Sequence, residues 1–584
     1  MLKDCLEVFA EELKRTEEKT GDGERLILDS YIPADGVYIV VGQSGEIRSC
    51  AIKLNKKSRI LEQTPNDNDL LRKMRFYDYH SRLVSMDKPQ DPKKVIHSNN
   101  YLAFWVKQES LENGKLDEAA IDRYFDVLRN PREKYKKPQD RKMYDYIAEQ
   151  IGDIDQERLE KNRTWIKENV FRLEELNILL SGKNYLKIFF EGDEELYIKE
   201  EQRYVMTKIF NKNDYNLELE EKILGLPNDN LGLNSKKPYM ENKTRRVPVS
   251  YLITPEEAVL QRKFFDYLMN KANAGETDLY FDTTKKRITA QKKGEMFSSD
   301  FTGYFLQVQK GKEVEIHHQD TIVDYKYHLI KPFRYQNVLG LEDKEERYKE
   351  YRNKTELQSV INEVLFSSWL VGNYFTEEEK LSVDGELKRN LVWSREAIFA
   401  WLYKGLDVNM DRVLHKVCMN MIKNSVRNGF TMKMGQQFNL MCSLEEYFKG
   451  GCGMAEKYAD IQSKLRNKIN QSGDCEIETD EEYFYAVGQL VFYFISLSKA
   501  KEKMHSLANP FLIATDNTVI RKKLKQYFMK YNYQLKFNGY KFNRMYRMVD
   551  AYVLKNKVQQ EYLFGGYIGN NLIYESNKVA KEEA

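Results

Sequence analysis

The chain has 584 residues, 41% of them hydrophobic and 31% charged, with 93 basic against 90 acidic side chains for a net charge of +3. That length exceeds what one core serves and fits about three or four domains, while the near balance of charge excludes a generic polycation. No apolar run approaches the roughly 20 residues that cross a bilayer; the longest, 487–497, is broken by Gly488 and Gln489.

The N-terminal stretch MLKDCLEVFAEELKR sets acids into an apolar pattern and reads as an amphipathic helix rather than a signal peptide. A soluble, cytoplasmic protein without a membrane partner is therefore expected. Residues 25–47 alternate and turn like a hairpin, LILDSYI and VYIVVG flanking Pro33-Ala34-Asp35-Gly36. Residues 69–86 have a helical period, broken by Pro89 and Pro92, and 101–106 reads as a short strand. Helices fit 116–128, 142–151 and 155–180, and a strand fits 185–190.

Between 224 and 249 glycines, prolines and asparagines surround a basic cluster at 236–246, Lys236, Lys237, Lys243, Arg245 and Arg246 against the single acid Glu241. Long polar loops of this kind are functional or disordered. Thr254-Pro255-Glu256-Glu257 is a helix start, with Thr254 and Glu257 spaced as a capping box and the helix running to about Lys271. Strands return over 279–324 with turns at Gly294 and Gly311, and five basic residues lie within 285–293. From Leu341 onward helical patterns dominate: 455–471, 480–505 (with Thr479 and Glu482 as a second capping box), 517–533 and 541–557, joined by short loops as in an antiparallel bundle. The reading is α+β: an α+β region at 1–340, a helical connection at 341–450 and a helical bundle at 451–584.

The six cysteines lie far apart with no Cys-x-x-Cys, which argues against a disulfide framework and a zinc ribbon. His317, His318, Asp320, Asp324 and His328 form the most metal-like group, yet a strand sends His317 and His318 to opposite faces. Asp193-Glu194-Glu195 follows a strand as in a two-metal hairpin, without a second carboxylate strand to complete it. No phosphate-binding Gly-x-x-x-x-Gly-Lys-Ser/Thr loop occurs, and no cofactor is expected.

Polyanion binding has more support. Between 519 and 557 eleven basic residues stand against the one acid Asp550, so this segment carries +10 and the remainder −7. Arg521, Lys522, Lys523, Lys525, Lys541, Arg544 and Arg547 are its candidate contacts, interleaved with Tyr527, Phe528, Tyr531, Tyr533, Phe537, Tyr540, Phe542, Tyr546 and Tyr552. Cations displace counterions from phosphates and aromatic faces stack unpaired bases, although at helical spacing many of these rings must fill the core.

Residues 91–107, DPKKVIHSNNYLAFWVK, are by composition a polar turn entering a strand, with His97 more a structural histidine than a catalyst. Together with Gly232-Leu233-Asn234-Ser235-Lys236-Lys237-Pro238-Tyr239 and the FGGYIGNNLIY run at 564–574, this stretch closely resembles the large subunit of type I-B CRISPR interference complexes (Cascade). The similarity spans nearly the whole chain.

The resemblance implies a non-enzymatic subunit at the guide RNA end carrying the 5′ handle. Such a subunit reads the protospacer-adjacent motif in target double-stranded DNA, aids R-loop formation and displacement of a single strand, and recruits a helicase-nuclease. Repeated backbone subunits and a 5′-handle subunit are the implied partners. On this reading Lys93, Lys94, Asn99, Asn100, Asn234, Lys236, Lys237, Arg245 and Arg246 contact nucleic acid, amides reading base edges and cations positioning on phosphates. The bundle resembles the separate small subunit, which in this family can also be made from an internal start. Met454 fits, since Lys449-Gly450-Gly451 can be encoded as a purine-rich ribosome-binding sequence, and the fragment would have 131 residues. Gly450 to Gly453 also reads as a flexible joint. A metal-dependent nuclease or nucleotide cyclase, and a standalone nucleic-acid-binding protein, are the alternative readings.

Overall fold

A computed structural model describes residues 2–55, 61–63, 68–83, 89–176, 178, 180, 183–220, 222–228, 251–311, 313–342, 345–450, 453–499, 505–535 and 539–575. The fold is α+β, with mixed sheets toward the N-terminus and helices toward the C-terminus. The chain forms two compact units, one of residues 1–292 and 303–321, the other of 293–302 and 322–584.

The N-terminal unit opens with α1 (Leu2–Thr20), which buries Cys5, Val8 and Phe9. The LILD segment, expected as the first arm of a hairpin, is instead the helical turn α2 (Arg25–Leu28). Asp22 explains the difference, because its carboxylate accepts the Glu24 N–H at 2.8 Å and starts a turn that a strand would leave unmade. The hairpin forms one step later, between β1 (Gly36–Val41) and β2 (Ile47–Leu54), around Gly45 at φ 94°.

Next come β3 (Leu61–Gln63), α3 (Asn68–His80), β4 (Ala103–Lys107) and α4 (Gln108–Glu112), followed by α5 (Glu118–Arg129), α6 (Pro131–Lys134), α7 (Pro138–Ile151) and α8 (Gln156–Asn169). Asp117 caps α5 by accepting Ala120 N–H, and Asp155 caps α8 by accepting Arg158 N–H. The helix expected over 155–180 ends at Asn169, and a 3-10 turn follows at Leu173–Leu176. After β5 (Tyr185–Phe190) and α9 (Glu194–Val205), the short pair β6 (Leu217–Leu219) and β7 (Lys222–Leu224) leads to α10 (Pro255–Ala274). Thr254 and Glu257 make both halves of the expected capping box there.

The first sheet runs β3-β2-β1-β5-β4, with β1 and β5 parallel and the other pairs antiparallel. Central β5 is buried along both faces, which accounts for its unbroken apolar run apart from Lys187. A second sheet takes β8 (Asp278–Asp282), β9 (Arg287–Gln291), β10 (Phe301–Lys310) and β11 (Val314–Tyr325) in the order β11-β10-β8-β9. Phe9 packs on Phe264 of α10 at 5.4 Å, closing helices over the sheet side chains.

The C-terminal unit begins with the strand pair β12 (His328–Arg334) and β13 (Glu350–Asn353) and is otherwise helical: α11 (Lys354–Val364), α12 (Gly385–Lys404), α13 (Met410–Asn428), α14 (Thr431–Lys449) and α15 (Met454–Asn470), then α16 (Asp480–Ser496), α17 (Asn509–Leu512), α18 (Asn517–Tyr531), α19 (Tyr540–Ala551) and α20 (Gln560–Ile568). Thr479 caps α16, but Glu482 turns its carboxylate to the Glu478 N–H and to Lys468 rather than to the Thr479 N–H, so the second capping box is half made. The helix expected to reach 505 ends at Ser496, and the one expected to reach 557 ends at Ala551. Asp480 causes the second break: its carboxylate takes the Tyr552 hydroxyl at 2.8 Å and the Lys555 and Asn556 N–H groups at 3.0 and 2.8 Å, drawing 552–556 out of helical hydrogen bonding.

Phe564 to Ile568 of the FGGYIG run lie in α20, with Gly569 as its C-cap. Gly566 on α20 lies so close to α16 that an added Cβ would stand 2.0 Å from the Tyr485 carbonyl, and one on Gly488 would stand 2.3 Å from the Leu563 carbonyl. Gln489 then donates to the Gly566 carbonyl at 2.6 Å and accepts the Leu572 N–H at 2.8 Å, which fixes the GNNL turn.

Candidate nucleic-acid interface

The 91–107 turn is built from the inside. Asp91, fully buried, accepts the N–H groups of Lys93, Val95 and Ile96, so the chain wraps around one carboxylate. Ser98 Oγ pairs with the Tyr124 hydroxyl at 2.7 Å, and that hydroxyl also reaches the Asn100 and Ala103 carbonyls. Asn99 and Asn100 are 1% and 0% exposed. Asn99 donates to the Arg82 carbonyl at 2.8 Å; Asn100 donates to Asn99 and accepts the Leu102 N–H.

The expected assignment of Asn99 and Asn100 to nucleic acid is therefore corrected. Their amides satisfy buried backbone groups that would otherwise be orphaned, which leaves no polar edge for a base. Lys93 and Lys94 are exposed on the outer side of the turn, Lys94 with a left-handed backbone at φ 60°. Burial and Lys107 hold the His97 imidazole below its ordinary range, consistent with a neutral structural histidine.

Behind the turn lies a buried ionic network. His80 sits between Glu201 (2.6 Å) and Glu24 (3.1 Å), Arg262 reaches Glu201 at 2.9 Å, and Arg82 reaches Asp266 at 2.8 Å. Lys187 is held by Asp78, whose other oxygen accepts the Tyr31 hydroxyl at 2.6 Å. Burial opposes charge on His80, yet the two carboxylates win and hold it up at about 9, while His80 and Lys263 hold Glu24 down at about 2 against its own burial. These groups specify the fold around the motif.

Asn234, Lys236, Lys237, Arg245 and Arg246 lie outside the described residues. Gly225 and Ile253, which precede and follow them in the chain, exchange paired backbone bonds of 2.9 Å each way.

In the bundle the candidates divide. Lys541 is buried and donates to the Glu575 carbonyl at 2.8 Å, so its assignment to nucleic acid is corrected to an internal clamp. Arg521 is half-buried and donates to the Asp550 and Tyr552 carbonyls at the end of α19. Lys522 and Lys525 are exposed on α18; the nearest acid to Lys525 is Asp550 at 3.9 Å, and Lys522 has no acidic partner among the described residues. Lys523 is half-buried.

Arg544 and Arg547 line a cleft of about 520 Å³ between α19 and residues 473–477, lined also by Lys468, Lys555, Met548, Asp474 and Glu476. Arg544 donates to the Ile469 carbonyl at 3.2 Å and lies 5.4 Å from the Tyr540 ring. Arg547 meets Asp474 at 3.1 Å in a solvent-exposed pair of little worth, which frees the guanidinium for a stronger anion.

The aromatics sort in the same way. Phe542 stacks on Tyr493 at 5.1 Å and Phe528 on Tyr546 at 4.9 Å within the bundle, and Tyr531 and Tyr552 are buried. Tyr533 and Tyr540 are exposed beside the cations, and Phe537 lies outside the described residues. Lys530, exposed on α18, and Lys555, lining the cleft, belong to the same acid-poor run.

The other expected chemistry is dispersed. His317 lies 3.4 Å from Glu315, and His318 lies 3.6 Å from Asp320, along β11. Asp193 opens α9, where Glu194 and Glu195 meet Arg72 and Lys199 and favour the helix N-terminus. Among the described residues no three His, Cys, Asp or Glu side chains group as a metal site, and no helix is long and apolar enough to cross a membrane. No protein-family model, curated protein or solved structure matches the chain.

Proposed function

We propose that this chain is the large subunit of a type I-B CRISPR RNA-guided interference complex, and that the basic 519–557 run of its C-terminal bundle holds the phosphate backbone of a nucleic acid. The carrying observation is the outward charge of that run: Lys522 and Lys525 are exposed on α18, Arg544 and Arg547 of α19 line the cleft, and the rings of Tyr533 and Tyr540 in the same run are exposed. Cations of this kind bind by counterion release, and exposed rings offer stacking surfaces that tolerate any base.

Within the reading, guide pairing supplies the sequence, and protein reads duplex shape and the adjacent motif. Lys93, Lys94, Asn234, Lys236, Lys237, Arg245 and Arg246 are the proposed contacts of the N-terminal unit. The chemistry is binding, with strand cleavage left to a recruited helicase-nuclease. A second product starting at Met454 belongs to the same proposal, and it is supported by helix α15 beginning at that residue with Gly453 as its N-cap.

The test is purification of the tagged chain from cells expressing its neighbouring genes. Recovery of guide RNA and repeated backbone subunits is expected, while a chain that purifies alone without RNA overturns the reading. Synonymous changes in the glycine codons upstream of Met454 are expected to remove the short product, and its persistence would refute that start.

A further inference from the structure

The carboxyl ends of β1 and β5, the adjacent parallel pair, open into a crevice of about 660 Å³ in the N-terminal unit. Crevices at the carboxyl ends of parallel strands are where α/β sheets take ligands, and the volume suits a small organic molecule. One wall is the Gly42-Gln43-Ser44-Gly45 turn, the other is α8. Arg158, Lys161 and Trp165 line it at helical spacing, so two cations and an indole follow one another along one face.

These groups are held in place without being neutralised. Arg158 donates to the Glu191 carbonyl at 2.5 Å and Lys161 to the Gln43 carbonyl at 3.2 Å, and neither meets a carboxylate among the described residues. The acids nearby are engaged elsewhere: Asp155 caps α8, and Glu191 is paired with Lys73 (2.8 Å) and Arg48 (3.1 Å), Lys73 above all holding it below the usual carboxylate range. Glu157 lines the crevice as well, so Arg158 and Lys161 share it with the carboxylates of Asp155, Glu157 and Glu191. Trp165 is half-buried, braced edge-on by Phe190 at 5.6 Å. A Cβ on Gly192 would stand 2.8 Å from the Arg158 guanidinium and would shift it from this position.

We infer that this crevice binds a nucleotide, its phosphate on Arg158 and Lys161 and its base against Trp165. An inorganic phosphate would leave the indole and most of the volume unused, and an apolar ligand would leave two cations unanswered. The nucleotide could come free from solution or as one splayed member of a single strand.

Calorimetric titration of the full chain with adenosine 5′-monophosphate, and separately with an eight-residue oligoadenylate, tests this. Saturable binding of the mononucleotide is expected, weakened about five-fold or more by Trp165→Leu and by Lys161→Gln with the melting temperature of Lys161→Gln unchanged. Binding of the oligomer alone, with the same sensitivity to both variants, assigns the site to a strand. If Trp165→Leu does not fold, Lys161→Gln, an exposed position, decides. Affinities for both probes that are indifferent to the variants would overturn the inference, whatever role the bundle proves to have.

Discussion

Lys187 and Lys522 are the same side chain in opposite settings. Lys187, in the middle of β5, is 4% exposed, held by Asp78 and placed 3.9 Å from the Trp105 ring. Lys522, on α18, faces solvent without an acidic partner among the described residues. The N-terminal unit matches its buried charges one against another, from Glu24 and His80 through Arg262 and Asp266 to Arg82. The bundle leaves much of its charge outward and unanswered. Paired charge in a dry interior fixes a fold, whereas unpaired charge at a surface is available to a partner.

Truncation separates the two settings most sharply. Lys187→Ala leaves the Asp78 carboxylate buried and uncompensated, and a loss of about 3–5 kcal/mol is expected in urea unfolding. Lys522→Ala is expected to change stability by less than about 0.5 kcal/mol. Comparable losses at the two sites would erase the contrast.

Titration gives the next largest effect. His80 is held above its unfolded value of 6.5 at about 9, so its contribution is complete below pH 6.5 and disappears as pH rises through 9. Glu24, lowered from 4.5 to about 2, contributes fully above pH 4.5 and loses its part as pH falls toward 2. The N-terminal unit is therefore expected to be most stable between these limits, with up to about 3 kcal/mol lost on the alkaline side. His80→Gln should abolish that alkaline slope in a pH series of melting curves, and an unchanged slope would place its origin elsewhere.

Legibility in the sequence follows the same division. The β5 strand and the α10 capping box are legible because local chemistry decides them. The LILD turn is not, since a short apolar run serves a strand or a single helical turn equally and the deciding group is Asp22 outside it. Asn99 and Asn100 read as contacts because an asparagine in a polar turn looks alike whether its amide meets solvent or the carbonyls of a distant residue such as Arg82. The acid-poor run at 519–557 is legible as charge, while the sorting of Lys541 inward and Lys522 outward needs the fold.

Helix α20 shows the limit most plainly. Gly565-Gly566 lowers helix propensity, and the helix exists because Gly488 on α16 leaves room for it. Gly566→Ala is expected to cost about 1–3 kcal/mol by overpacking, read as a lower midpoint for the bundle in thermal melts. A neutral or stabilising alanine would mean that the two backbones are farther apart than described.

The smallest effect on stability carries the most about function. If the α18 face holds a single-stranded backbone, Lys522→Ala and Lys525→Ala together should reduce the slope of log affinity against log salt by about 0.7 for each phosphate no longer neutralised, across unrelated sequences alike. Lys541→Ala supplies the internal comparison. That side chain is buried on the Glu575 carbonyl, so its removal should cost about 1 kcal/mol of stability and leave the salt slope where it was. Should the slope instead fall with Lys541 and ignore Lys522 and Lys525, the outward charge of the bundle would not be what meets the nucleic acid, and the division between buried and exposed lysines would carry no functional meaning in this unit.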